Sequence, residues 1–370
     1  MTSPARKIYA IEGVIKNYPW GSRQVLAQHR GVTRSDEPEA ELWFGDNPHG
    51  PSPLSGELKF LNQLTSQGDL GISQGQLPFL AKILAVERSL SLQVHPALTD
   101  IPSLRGVCSD LNHKPEMVVA LTEFQAYVGF SSREEIIFRV DKLKSEKINE
   151  LIAKPLRMGS SIKNILNNLL GIEDNSGILE ELHWNIANLD PIREKWTTEL
   201  IELYAPKLDP LATLLCNLVL LKPGESLYLP PKCVHAYLNG TVVEVMANSD
   251  NVLRGGLTHK PIDKENFLKV LDSESAIAIP ITPTGTSNHH EWTPPISDFA
   301  LQEFHGVIEV ELTLENFAIA FAWQGRARIA DSANAGEYAE VHHHMGALLA
   351  PGKYTLAGSG SLWVATGKGR

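Results

Sequence analysis

Cysteine is scarce in this chain. Cys108, Cys216 and Cys233 are odd in number, far apart and in no CxxC arrangement, so a disulfide framework is excluded and ordinary buried thiols in a reducing compartment are expected. No run of about 18 apolar residues occurs, and no transmembrane helix or membrane partner is read. The opening MTSPARKIYAIEGVIKNYPWG meets charge and proline before any long apolar stretch. A secretory signal is therefore not expected, and the cytoplasm is the expected location. Positive charge is also in short supply: 33 Lys and Arg against 43 Asp and Glu leave -10 at pH 7. Such a chain offers no broad cationic face, so nucleic acid is not an expected partner. An anionic small substrate would need a few cations gathered locally against that field. Short-period repeats and low-complexity blocks are missing as well.

What is present is a globular composition, 43% hydrophobic and 21% charged, over 370 residues, enough for two or three domains. Residues 1–130 carry short apolar runs broken by Gly, Pro and Asn, the texture of strands and tight turns. Within them Leu90, Leu92 and Val94 alternate with Ser91, Gln93 and His95, which places the second set on one face of a strand that Pro96 closes. Helical spacing dominates 131–215, with Ser131 or Ser132 ahead of Glu134 and Glu135 as a helix start. Strand texture resumes over 216–279, where Leu-x-Pro-Gly-Glu-x-Leu-x-Leu-Pro-Pro-x-x-x-His-Ala-Tyr reads as one corner of an antiparallel barrel. Residues 280–370 are again strand and turn, expected to form a second barrel or half-sandwich. The fold expected is mainly β: two barrels with an α-helical insertion.

A barrel interior is a natural metal cage. Gln93 and His95 lie two apart on one strand, Glu116 sits in His-Lys-Pro-Glu, and His235 arrives from the barrel corner. Two imidazoles, a carboxylate and an amide oxygen could make a four-ligand site, although the spacing by itself does not decide between ligands and hydrogen-bonded core residues. His342-His343-His344 has no acidic partner at suitable spacing and reads as surface or edge-strand histidines.

Several ordered blocks resemble the type I mannose-6-phosphate isomerases, also called phosphomannose isomerases, of the cupin superfamily. They are Tyr18-Pro19-Trp20-Gly21, Glu41-Leu42-Trp43-Phe44-Gly45, LPFLAKIL with Lys82, Leu92-Gln93-Val94-His95-Pro96 and Asn112-His113-Lys114-Pro115-Glu116. After the helical segment come Leu229-Pro230-Pro231, His235-Ala236-Tyr237, the run from Asn248 to Thr258, and Lys260-Pro261. One departure is Leu98, where many relatives carry a lysine.

The resemblance implies two cupin-type jelly-roll barrels, one zinc ion per chain on Gln93, His95, Glu116 and His235, and a sugar-phosphate substrate. It implies Arg254 as an active-site residue, with Lys114, His113 and Asp250 as proton-transfer or orienting groups. Lys82, Ser91 and Lys260 would lie near the phosphate, and Trp20 and Glu41 on the pocket wall. The reaction implied is aldose–ketose isomerisation of mannose 6-phosphate and fructose 6-phosphate through a cis-enediol. A monomer is expected, with a homo-oligomer left open. Two other classes stay on the table: a cupin dioxygenase, which needs redox-active iron, and a non-catalytic sugar-phosphate binding protein, which has no need of proton-transfer groups.

Overall fold

The computed structural model describes residues 6–367 apart from 68, 69, 71, 73, 74, 173–176 and 275. Its organising element is the strand His235–Ala247, long enough to belong to two layers. Its second half pairs antiparallel with Phe79–Val86 on one side and Glu116–Ala120 on the other. Its first half pairs instead with Phe124–Phe130 and, at His235, with Gln93 of Leu92–Val94. Glu41–Phe44, Val14–Lys16 and Ser226–Leu229 extend the first layer, while Leu253–Gly256 and Cys216–Leu221 extend the second.

Period-2 alternation then sorts the side chains. In the first layer Ala81, Ile83, Met117, Val119, Val243 and Val245 face outward, into a core shared with Ile319, Phe321, Leu348 and Trp363 of the C-terminal strands. Phe44 and Phe321 stack there at 5.0 Å. The alternate positions face the barrel interior, which is apolar at one end, with Leu84, Val118 and Val242. At the other end the same faces carry Lys82, Glu116 and Glu244. In the second layer Leu92, Val94, Ala236, Leu238 and Leu253 face outward into a core with Ile136, Val140, Leu166 and Trp196. Both faces of each layer are covered, so strands such as Phe79–Val86 are buried along their whole length.

Most of the helices that cover the second layer lie between Phe124–Phe130 and Cys216–Leu221, and Lys264–Val270 adds Phe267 and Val270 to the same core. The first, Arg133–Leu143, begins where the sequence signal placed it. Ser132 accepts from the Glu135 N–H, and the Glu135 carboxylate accepts from the Ser132 N–H, a reciprocal cap. Trp196, on Pro191–Tyr204, donates its indole N–H to Gln125 of the barrel at 2.6 Å.

The C-terminal strands form an antiparallel sheet of eight, built on Ala300–Leu314, Ala318–Asp331 and Gly352–Thr366. Its eighth member comes from the other end of the chain: Ile8–Glu12 pairs with Met345–Leu349. A division that assigns all of 1–130 to the first barrel therefore misplaces this strand. Ile8 packs into the C-terminal core and Ile11 into the core between the sheets, and the strand covers an otherwise open sheet edge. Conversely, Ile279–Pro280 pairs with Ser226–Leu229 of the first sheet. Cys216 and Cys233 are buried thiols, as expected, whereas Cys108 is partly exposed. Among the described residues no helix is long and apolar enough to cross a membrane.

Candidate active site

Register brings together residues that the sequence keeps apart. Gln93 is flanked by His235 on one side and Arg254 on the other. Cross-strand partners share a face, so all three side chains look into the barrel. His95 follows two residues after Gln93, just past the end of a strand that spans only Leu92–Val94, shorter than the alternation predicted. Glu116 starts the opposing strand Glu116–Ala120.

The ligating atoms of His95, Glu116 and His235 lie within 4.8 Å of one another, and all three residues are buried. His95 Nδ1 lies 2.7 Å from the Asn251 carbonyl, and His235 Nδ1 lies 3.0 Å from the Cys233 carbonyl. A carbonyl can only accept, so each Nδ1 carries the proton and each Nε2 presents a lone pair. Those lone pairs face the Glu116 carboxylate at 3.2 and 3.4 Å. His95 Nε2 is buried with no hydrogen-bond partner, and the Gln93 amide nitrogen lies 3.2 Å from His235 Nε2, to which it donates. Two converging imidazole lone pairs and a carboxylate, with the His95 lone pair left without a hydrogen-bond partner, fit a divalent cation of the zinc type. Orphaned polar atoms in a dry interior are costly, and a cation shared by these groups would remove that cost.

Charge reinforces the arrangement. Burial, with Lys114 adding to it, pushes the His95 imidazole down to about 4, and burial lowers His235 too. Both are therefore neutral and able to ligate near pH 7. For Glu116 burial alone would raise the pKa, but Lys114, whose Nζ is 3.0 Å from Oε1, and His95 outweigh it and hold the carboxyl well below the usual range. Tyr237, whose hydroxyl lies 3.4 Å from Glu116 and 3.2 Å from Glu244, is pushed upward by burial and by these carboxylates.

This cluster forms the floor of a cavity of about 940 Å³, ample for a small polar ligand. Gln93, Glu116, Lys114, Asp250, Arg254, Lys82, Ser91, Lys260, Trp20 and Glu41 all line it, while His95 and His235 sit beneath its surface. Of the residues singled out from sequence, His113 alone points elsewhere. Its Nε2 pairs with Asp298 Oδ1 at 2.9 Å, in the bend ahead of the C-terminal strand Ala300–Leu314, which draws the ring off the cavity wall. Lys82 is enclosed rather than open: Glu244 is 3.3 Å and Glu41 3.6 Å from its Nζ, with the Trp43 ring at 4.7 Å. Burial would lower its pKa, but the two carboxylates outweigh that and keep it firmly charged. Burial depresses the pKa values of Arg254 and Lys260, and the nearby Arg254 charge adds to the effect on Lys260. Among the described residues neither has a carboxylate within ion-pair distance.

Several wall residues went unread in the sequence. Glu244 is the most consequential: burial, then Glu116, raise it to about 7. Its signal was a lone carboxylate inside the apolar strand run Val242-Val243-Glu244-Val245-Met246. Tyr204, from the end of the helix Pro191–Tyr204, and His49 also reach the cavity, with no local motif to mark them. The Asn248–Asn251 run acts as a fastener. Ser249 and Asn251 bind Asp110 at 2.9 Å each, and Asn251 also donates to the Asn112 carbonyl at 2.8 Å, tying down the loop that carries Lys114 and Glu116. The three consecutive histidines lie at the turn between Asn334–His342 and Met345–Leu349, where His343 and His29 each meet the other's backbone carbonyl at 2.6 Å.

A two-histidine, one-carboxylate centre at the floor of an antiparallel barrel defines a metal-binding enzyme of the cupin class. Comparison with known proteins narrows this. Residues 8–133 match the family model of the phosphomannose isomerase type I catalytic domain. The mannose-6-phosphate isomerase of Rattus norvegicus is 31% identical over 371 residues, covering 86% of this chain and 88% of the relative. That of Escherichia coli K12 is also 31% identical, over 85% of this chain and 88% of the relative. A crystal structure of a point variant of the Salmonella typhimurium phosphomannose isomerase superposes with a TM-score of 0.87 at 26% identity, covering 98% of this chain and all of that one. A mannose 6-phosphate isomerase bound with zinc and yttrium gives 0.86 at 27% identity, with the same coverage. The chain belongs to the type I phosphomannose isomerase family.

Proposed function

We propose that the chain interconverts mannose 6-phosphate and fructose 6-phosphate through a cis-enediol, with one zinc ion on Gln93, His95, Glu116 and His235. The observation that carries this reading is the convergence of two imidazole lone pairs and an ionised carboxylate at the floor of a cation-lined cavity. Lys16, Lys82, Arg88, Lys114, Arg254 and Lys260 line that cavity against four carboxylates, in a chain of net charge -10. This local reversal of sign is what a phosphorylated sugar requires. The catalytic unit is formed by 14–130 and 216–279, interrupted by helices whose last turn contributes Tyr204 to the wall.

When bound, the ion supplies Lewis-acid stabilisation of oxygen charge, worth about a few kcal/mol in such sites. Arg254, one strand over from Gln93, places a guanidinium against the same developing charge. With Lys260, and with the Ser91 hydroxyl on the same wall, it also gives the phosphate its uncompensated positive charge. Lys82 serves differently, because its charge is spent on Glu41 and Glu244. It holds those two carboxylates at the wall, with Trp20 shaping the rim. One proton must move between neighbouring carbons, which requires a group that takes it and returns it. Lys114, beside Glu116, and Glu244, whose pKa is about 7, are the two wall groups suited to that exchange. Asp250 lies on the cavity wall, with its Oδ2 buried 3.6 Å from His49 Nε2, and its carboxylate is an acceptor for a sugar hydroxyl. His113, anchored by Asp298, positions the loop that bears Lys114.

The test is proton NMR of the zinc-loaded protein with mannose 6-phosphate in deuterated water. Fructose 6-phosphate should appear, with the activity abolished by chelation and restored by zinc. Deuterium entering at the reacting carbons reports the enediol. Absence of turnover by folded, zinc-loaded protein refutes the assignment.

A further inference from the structure

A second group of two histidines and one carboxylate lies far from the cavity, on the C-terminal sheet. Glu303 and His305 are two apart on Ala300–Leu314, and His290, on His289–Trp292, stands directly opposite Glu303. Alternation and register put all three on one face of the sheet, the face on which Trp292 and Trp363 stack at 5.5 Å. Their ligating atoms lie within 4.8 Å of one another. The imidazoles of His290 and His305 are 4.9 Å apart and tilted by 43°, against 5.0 Å and 49° for His95 and His235. As in the barrel, one imidazole nitrogen, His305 Nε2, is buried with no hydrogen-bond partner. The Glu303 carboxylate is oriented from behind: Ser361, opposite His305 on the third strand, donates its hydroxyl to Oε1 at 2.7 Å. The other oxygen, Oε2, is left facing His290 Nδ1 at 3.6 Å, too far for a good hydrogen bond. A carboxylate held by an outer hydroxyl and turned toward two imidazoles is how metal ligands are supported.

We propose that His290, Glu303 and His305 form a second, structural site for a divalent transition cation of the zinc class. Two nitrogens and one carboxylate oxygen favour zinc, cobalt or nickel over magnesium or calcium. The ion ties His289–Trp292, the second strand of the hairpin that the chain forms after leaving the barrel, to the long strand Ala300–Leu314. It takes no part in isomerisation.

The test uses the full-length protein stripped with chelator, reloaded with zinc alone and dialysed, with bound metal counted by elemental analysis. The wild type should hold two equivalents. The His290→Ala/His305→Ala variant should hold one and keep its isomerase activity, and a His95→Ala/His235→Ala variant should also hold one. Zinc should raise the melting temperature of the barrel-site variant, which has only the C-terminal site left. If the C-terminal double variant does not fold, His290→Ala alone, at a position one-third exposed, reads the same loss. One equivalent in the wild type, two in the C-terminal variant, or none in the barrel-site variant overturns the proposal.

Discussion

Acid acting on the metal-free protein gives the sharpest test of the barrel's electrostatics. His95 is 3% exposed, and its pKa falls from 6.5 to about 4. One pKa unit is worth 1.36 kcal/mol, so the shift corresponds to about 3 kcal/mol of folding stability. The sign follows from the depressed value. Above pH 6.5 neither folded nor unfolded chain protonates this ring, and the stability is fully present. Between 6.5 and about 4 the unfolded chain takes up a proton that the folded chain refuses, and the stability is lost. His235 shifts in the same direction and adds to the slope. The assay is an NMR titration of the His95 ring in chelated protein, with urea unfolding of wild type and His95→Gln at intervals from pH 7.5 to 4.5. The variant should show a shallower loss of stability over that window. A His95 pKa at or above 6.5, or identical slopes in the two proteins, would refute the inference that the ring is a dry, neutral ligand.

Three further outcomes are expected. Arg254→Ala should lower kcat/KM by about 10²–10³-fold, as for loss of one preorganised charge at a reacting oxygen, while the melting temperature stays put, because no carboxylate is left unpaired; an activity within threefold of wild type would exclude the role. Glu244→Gln should erase the rise of kcat/KM through pH 7 that an ionising carboxyl with a pKa of about 7 produces; a retained inflection assigns it to another group. Gly255→Ala places a Cβ 2.2 Å from the buried Phe267 ring, an overpacking that costs about 1–3 kcal/mol and displaces the neighbouring Arg254. Calorimetry should show the lowered transition together with lost turnover.

Much of the site was legible because its residues carry local signatures. Gln93 and His95 share a strand face by alternation, Glu116 sits in the His-Lys-Pro-Glu motif, and His235 follows a proline corner. Ser132 and Glu135 announced their helix by cap chemistry. What was hidden lay in pairs formed across the chain. Gln93 and His235, 142 residues apart, meet only because Leu92–Val94 docks against the start of His235–Ala247. Lys82 and Lys260 look alike in sequence, yet Glu41 and Glu244 enclose one and leave the other open. His113 belongs to the same motif as Lys114, but Asp298, from the bend ahead of a distant strand, turns it away from the cavity.

The sequence by itself determined the strand-and-turn texture and the helical segment, since these depend on residue chemistry and on periodicity within one element, while its ordered motifs, through the family resemblance, supplied the candidate ligands. Tertiary structure alone decided which sheet receives Ile8–Glu12, which lysines keep a free charge, and that His290, Glu303 and His305 meet on adjacent strands. Those outcomes depend on register between strands. Register is set by how two outward faces pack, against the helices on one side and the C-terminal sheet on the other, and no short stretch of chain encodes both partners of such a contact.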